Sequence, residues 1–120
     1  MKLKLLVFSG ALLLCSTAAH AMDAESFYVK AVALKKRGMG AVFSKDLKPM
    51  VRVFETAADS VKAENIKAKT EGVPLFCPPA KYRLTADQFI TEFARIPQSR
   101  RRAQTVRDAW REIVIRRFPC

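Results

Sequence analysis

Histidine occurs once in this sequence, at position 20, and glycine only four times. That histidine falls in a segment expected to be cleaved off, so Ser-His and Cys-His dyads, two common ways to activate a nucleophile, drop out of consideration. The glycines, at 10, 38, 40 and 72, miss the spacing of any phosphate-cradling loop. Acidic side chains number 11 against 22 Lys and Arg, and they are interleaved with the cations, so no spacing singles out a carboxylate pair. No catalytic constellation, cofactor motif or metal motif is left, and the chain reads as a non-enzyme.

What is present begins with an address. Lys2 and Lys4 give a short basic start, Leu3 to Leu14 is mostly apolar, and Ser16 to Ala21 is mostly small, with Ala19 and Ala21 in the A-x-A positions. This is the layout of a secretory signal peptide, and its apolar run is too short for a membrane anchor. Cys15 raises the alternative of lipid attachment, but Leu14 before it is not the small residue that such a site uses. Cleavage between Ala21 and Met22 is therefore expected, giving residues 1–21 as signal and 22–120 as a single helical domain in the periplasm. His20 and Cys15 leave with the signal. Losing Lys2 and Lys4 from the 22 basic side chains leaves 20 against 11 acidic ones, a formal net charge of +9.

Cys77 and Cys120 remain, an even number in an oxidising compartment, which makes a disulfide the default. Two cysteines without histidine do not complete a tetrahedral zinc shell. A domain of this size buries a modest core, so a staple is useful. Closing the loop from 77 to 120 contributes at most about 4 kcal/mol on the chain-entropy picture.

The rest reads as about four helices, an all-α bundle closed by that disulfide. Asp23 caps the first, whose stripe is Phe27, Ala31 and Leu34, and Gly38 stops it. Asp46 opens the second, placing Pro49 at a position that needs no hydrogen bond. Its stripe runs Leu47, Met50, Val51, Phe54, Ala57, Ala58, Val61, and it ends near Thr70 before Gly72 and Pro74. Val73 to Lys81 holds three prolines and is an extended connection, with Phe76 as a core anchor. Thr85 and Gln88 form a capping box for the third helix, with Leu84 and Phe89 as its hydrophobic staple. Pro97 ends that element, and Ser99 caps a fourth helix with the stripe Ala103, Val106, Trp110, Ile113 and Val114.

The feature without a structural explanation at this level is arginine. Arg95, Arg100, Arg101, Arg102, Arg107 and Arg111 crowd the last third of the chain, joined by Arg116 and Arg117. Three arginines in the first turn of a helix would oppose its dipole, and a local cost without structural gain points to a partner-binding role. The partner would be anionic: an acidic protein or an anionic membrane surface. Export makes nucleic acid unexpected; Trp110 lies in the helix among the arginines, but its place on the apolar stripe favours core over base stacking.

The order Phe76-Cys77-Pro78-Pro79, then Leu84-Thr85 opening a helix with Phe89 and Phe93, Ile96-Pro97, an arginine-rich start and Phe118-Pro119-Cys120 resembles the Tai family. These are periplasmic immunity proteins against amidase effectors of type VI secretion. The resemblance covers roughly residues 72–120 and implies a small helical domain that binds a cognate peptidoglycan amidase and blocks its active site, commonly as a dimer. It also implies that Cys77 and Cys120 are the family disulfide. The stretch from Phe27 to Arg37 lacks the further cysteines and glycine motif of the family's N-terminal region, and the arginine cluster is heavier. No effector-contacting residue carries over by position. The alternative is a basic envelope protein that associates with anionic membrane or with acidic partners.

Mass spectrometry of protein isolated from the periplasm should find Cys77 and Cys120 linked in one peptide pair; free thiols in fresh material would overturn the pairing.

Overall fold

A computed structural model describes residues 22–120; the expected signal peptide and the Ala21 side of its cleavage site lie outside them. Five helices follow in order: α1 (Ala24–Arg37), α2 (Leu47–Thr70), α3 (Ala86–Ala94), α4 (Gln98–Ala103) and α5 (Val106–Arg117). A 3₁₀ turn, Gly38–Phe43, joins α1 to α2. The all-α expectation holds, and among the described residues the only β pairing is an isolated bridge between Asp23 and Thr105.

Local chemistry sets most of the boundaries. The Asp23 carboxylate accepts from the Ser26 backbone N–H at 2.8 Å and from its hydroxyl at 2.7 Å, capping α1. These bonds, the backbone one foremost, hold the Asp23 carboxyl below its usual range. Thr85 and Gln88 exchange side-chain bonds to each other's backbone N–H at 3.1 and 3.0 Å, so the capping box is real. Asp46 occupies the N-cap of α2 without capping through its side chain; instead the Ser44 hydroxyl accepts from the Asp46 N–H at 3.3 Å.

The expected fourth helix is two helices. Pro97, not Ser99, stands before α4, because the Pro97 carbonyl accepts from both Arg100 and Arg101 N–H at 3.0 Å and closes the first turn there. Gln104 and Thr105 are then extended, at φ/ψ of −131/158 and −75/165, and the Thr105 hydroxyl caps α5 by accepting from the Asp108 N–H at 3.2 Å. The backbone groups freed by the break find partners in the segment before α1. Ala24 N–H donates to the Gln104 carbonyl at 2.9 Å, and Val106 N–H donates to the Met22 carbonyl at 3.3 Å.

The core is aromatic and lies between α1, α2, α3 and α5. Phe54 meets Phe89 and Trp110 edge-on at 4.9 and 4.8 Å, and Phe93 joins Phe27 to Phe89 at 5.4 and 4.9 Å. Trp110 is buried with Val106, Ala109, Ile113 and Val114, as an apolar stripe requires. Ala103 and Val51, assigned to stripes by spacing, are exposed: the break after Ala103 turns it out, and Val51 lies beside rather than on the buried face of Met50, Ala57 and Val61.

Cys77 and Cys120, separated by 43 positions, are bonded with their Cα atoms 4.8 Å apart. Next to them Cys77 N–H donates to the Phe118 carbonyl at 2.8 Å. The extended connection is held from α2 by one side chain. Asn65 Oδ1 accepts from Leu75 and Phe76 N–H at 2.8 and 3.1 Å, while its Nδ2 donates to the Phe76 carbonyl at 3.0 Å. Phe76 is thereby fixed in the core, as expected of it.

Removing the Thr105 hydroxyl tests the break. Thr105→Ala should lower stability by about 1 kcal/mol in denaturant unfolding, whereas Ser99→Ala should change it by less than about 0.5 kcal/mol; the reverse order would restore a continuous helix capped at Ser99.

Candidate functional site

The break relocates the arginines. Because α4 is only six residues long, Arg100, Arg101 and Arg102 stand in its last turn, although Arg100 and Arg101 also close its first. Cations in the last turn suit the helix dipole, so the electrostatic cost inferred from the sequence is largely offset.

Arg101 is 8% exposed and is spent inside the fold. Its Nε donates to Glu25 Oε2 on α1 at 2.6 Å. Its Nη1 donates to the carbonyls of Phe93 and Ala94 at 3.3 and 3.4 Å, and to that of Ile96. These are carbonyls at the C-terminal end of α3, which a helix leaves without internal partners. The guanidinium carbon lies 4.3 Å from the centre of the Tyr28 ring. The Arg101 hydrogen bond holds the Glu25 carboxyl below its ordinary value, against a smaller opposing push from burial.

The other arginines sort into clusters around single glutamates. Glu64 of α2 accepts from Arg111 Nε at 2.8 Å and from Arg107, whose Nε also donates to the Ser60 hydroxyl at 2.8 Å. The Arg111 bond depresses the Glu64 carboxyl most. Glu92, buried on α3, takes Arg116 at 2.7 Å, Arg117 at 3.2 Å and Arg95 at 3.6 Å. Burial pushes the Glu92 carboxyl up, but the Arg116 hydrogen bond and the three positive charges outweigh it and hold it below its ordinary value. Arg100 pairs with Glu112 of α5. Arg102 is exposed, and among the described residues no carboxylate lies within ion-pair distance of it.

Of the six arginines expected to meet a partner, the structure thus places Arg101 inside. Arg107 and Arg111 share one open face of α5 with Gln104, Asp108, Glu112, Ile115 and Arg116. Arg100 reaches that face through Glu112, Arg95 stands with Glu92, and Arg102 is separate. A second concavity, about 620 Å³, runs along the disulfide between α2 and the extended connection, lined among others by Val61, Asn65, Phe76, Cys77 and Tyr82.

Sequence reasoning missed the glutamates as organisers, since the pairs Glu25–Arg101 and Glu64–Arg107 bridge separate helices. It also missed the 3₁₀ turn, whose signal was Met39, Val42 and Phe43 falling on no helical stripe beside Gly38 and Gly40. Among the described residues, no three His, Cys, Asp or Glu side chains gather as a metal site would need, and no helix is long and apolar enough to cross a membrane. Comparison with known protein families, curated proteins and solved structures finds no match to this chain.

Neighbouring arginines should therefore differ sharply on removal. Arg101→Ala takes the guanidinium away from the Glu25 carboxylate and the Ile96 carbonyl and should cost on the order of 3 kcal/mol, while Arg102→Ala should stay within about 0.5 kcal/mol of the parent; equal effects in thermal unfolding would refute the internal role of Arg101.

Proposed function

We propose that this chain is a periplasmic immunity protein that binds a secreted peptidoglycan-degrading amidase and blocks its cleft, without catalysing a reaction itself. The observation that supports this reading is the closed segment from Cys77 to Cys120, whose motifs carry the family resemblance. Within it lie the disulfide, the capping box of α3 and Arg101, which ties α4 to α1.

The face best suited to such a partner is the outer side of α5. Arg107, Arg111 and Arg116 stand there among Asp108 and Glu112, with Ile115 half-buried between them. Glu64 holds the Arg107 and Arg111 guanidiniums, and Glu92 that of Arg116, before any partner arrives, so less side-chain freedom is lost on binding. Mixed charge around a small apolar centre favours partner selection and fast encounter over bulk affinity. A homodimer, as the resemblance implies, would leave this face to one partner per copy if the copies meet elsewhere.

Expressing an exported amidase encoded beside this chain, with and without the chain, tests the proposal. Cells should survive only when the chain is co-expressed; lysis at the same rate in both would sink the immunity reading.

A further inference from the structure

The excess positive charge of this protein is unevenly matched. Around α4 and α5 every arginine but Arg102 pairs with one of Glu25, Glu64, Glu92 and Glu112, several of them sharing a carboxylate. Around the 3₁₀ turn, by contrast, Lys36, Arg37, Lys45, Lys48 and Arg52 are all exposed. Among the described residues no carboxylate lies within ion-pair distance of any of these five, while Lys35 is taken by Asp87. Asp46 is the one acidic residue between 35 and 52.

Inside this collar the turn projects apolar side chains into water. Gly38 leaves α1 at φ 55, and the chain winds through Met39, Val42 and Phe43 at 86%, 65% and 90% exposure. In a 3₁₀ winding, residues three apart lie above one another, so Met39 and Val42 share an edge and Phe43 extends it. Ala41 is half-buried and faces back into a groove with Ala31, Leu34, Phe54 and Phe89, which anchors the turn to the core. Val51, one turn into α2, is also exposed. Three large apolar side chains exposed on one short turn mark an interaction site.

We propose that the Gly38–Phe43 turn is an interfacial anchor that seats this protein on an anionic lipid bilayer. Met39, Val42 and Phe43 enter the boundary between headgroups and acyl chains, and Lys36, Arg37, Lys45, Lys48 and Arg52 meet the lipid phosphates. The layering decides the occupant. Apolar tip and cationic collar are stacked in the same order as acyl chain and phosphate at a bilayer surface. Lysine stems let the ammonium groups stay at phosphate depth while the tip goes deeper. The turn is a protrusion rather than a groove, and a fluid lipid surface receives it without a matching cavity. This site is separate from the α5 face proposed for the amidase, and its test uses no amidase.

Protein purified from the periplasm, carrying Phe43→Trp as a reporter, would be mixed with vesicles of phosphatidylcholine alone or with added phosphatidylglycerol. Trp110 is buried and supplies a constant background. The expected result is a blue-shifted emission and co-sedimentation only with phosphatidylglycerol present, both fading as salt rises. Lys45→Gln and Lys48→Gln should each weaken binding about fivefold. In the otherwise unaltered protein, Met39→Ser with Phe43→Ser should weaken it on the order of tenfold, with an unchanged melting temperature because neither side chain is in the core. Equal binding to both vesicle types, or binding indifferent to the serine pair, would overturn the proposal. So would vesicle-independent self-association, or capture by an acidic protein, that the serine pair abolishes.

Discussion

The guanidinium of Arg101 lies where α1, α3 and α4 converge, and the rest of the packing is arranged around it. One planar group with several fixed donors answers three needs together: it pairs Glu25, accepts the Tyr28 ring and closes the C-terminal carbonyls of α3. Lysine could meet only part of this, because a single ammonium lacks the planar fork that reaches a carboxylate on one side and carbonyls on the other. With Arg101 in place, Pro97 can turn the chain sharply between α3 and α4. The aromatic core of Phe27, Phe89 and Phe93 then closes beneath that turn.

This changes what a dense basic run signifies. In Arg100-Arg101-Arg102, three identical residues have three fates, set by the direction each faces on one short helix. Arg100 reaches Glu112, Arg101 turns inward, and Arg102 faces solvent. Glu92 likewise gathers Arg95, Arg116 and Arg117 from two helices around one buried carboxylate. Much of the basic character of the C-terminal half thus serves cohesion. Among the described residues, the cations without a carboxylate partner include Lys36, Arg37, Lys45, Lys48 and Arg52 near the turn between α1 and α2, beside others such as Lys62, Lys69 and Arg83 elsewhere.

Features decided within a few residues were legible in the sequence. Asp23 with Ser26, and Thr85 with Gln88, are contacts three positions apart, so composition alone reveals them. The cysteine pair was legible because few partners were available. The split of the fourth helix was hidden by periodicity, since Ala103, Val106 and Trp110 keep helical spacing straight across the break. Its one local sign was Thr105 placed three before Asp108. Asn65 looked like an ordinary surface residue of α2, because its role arises only when Leu75 and Phe76 are laid alongside it. The arginine pairs were invisible for the same reason: Glu64 and Arg107 are 43 positions apart, Glu25 and Arg101 are 76 apart. Of the candidate site, the arginines were found and their partners were not.

The short pairing of Met22, Asp23 and Ala24 with Gln104, Thr105 and Val106 has a consequence for the order of assembly. A chain synthesised from its N-terminus delivers α1 early, yet the residues that dock its beginning come in the last third. Glu25, too, must wait for Arg101. The longest-range contacts of the fold therefore belong to its first helix, and such contacts carry the largest loop-closure cost. Until the last third has been made, α1 has no completed seat. Compaction around α1 is therefore a late event in the life of the chain.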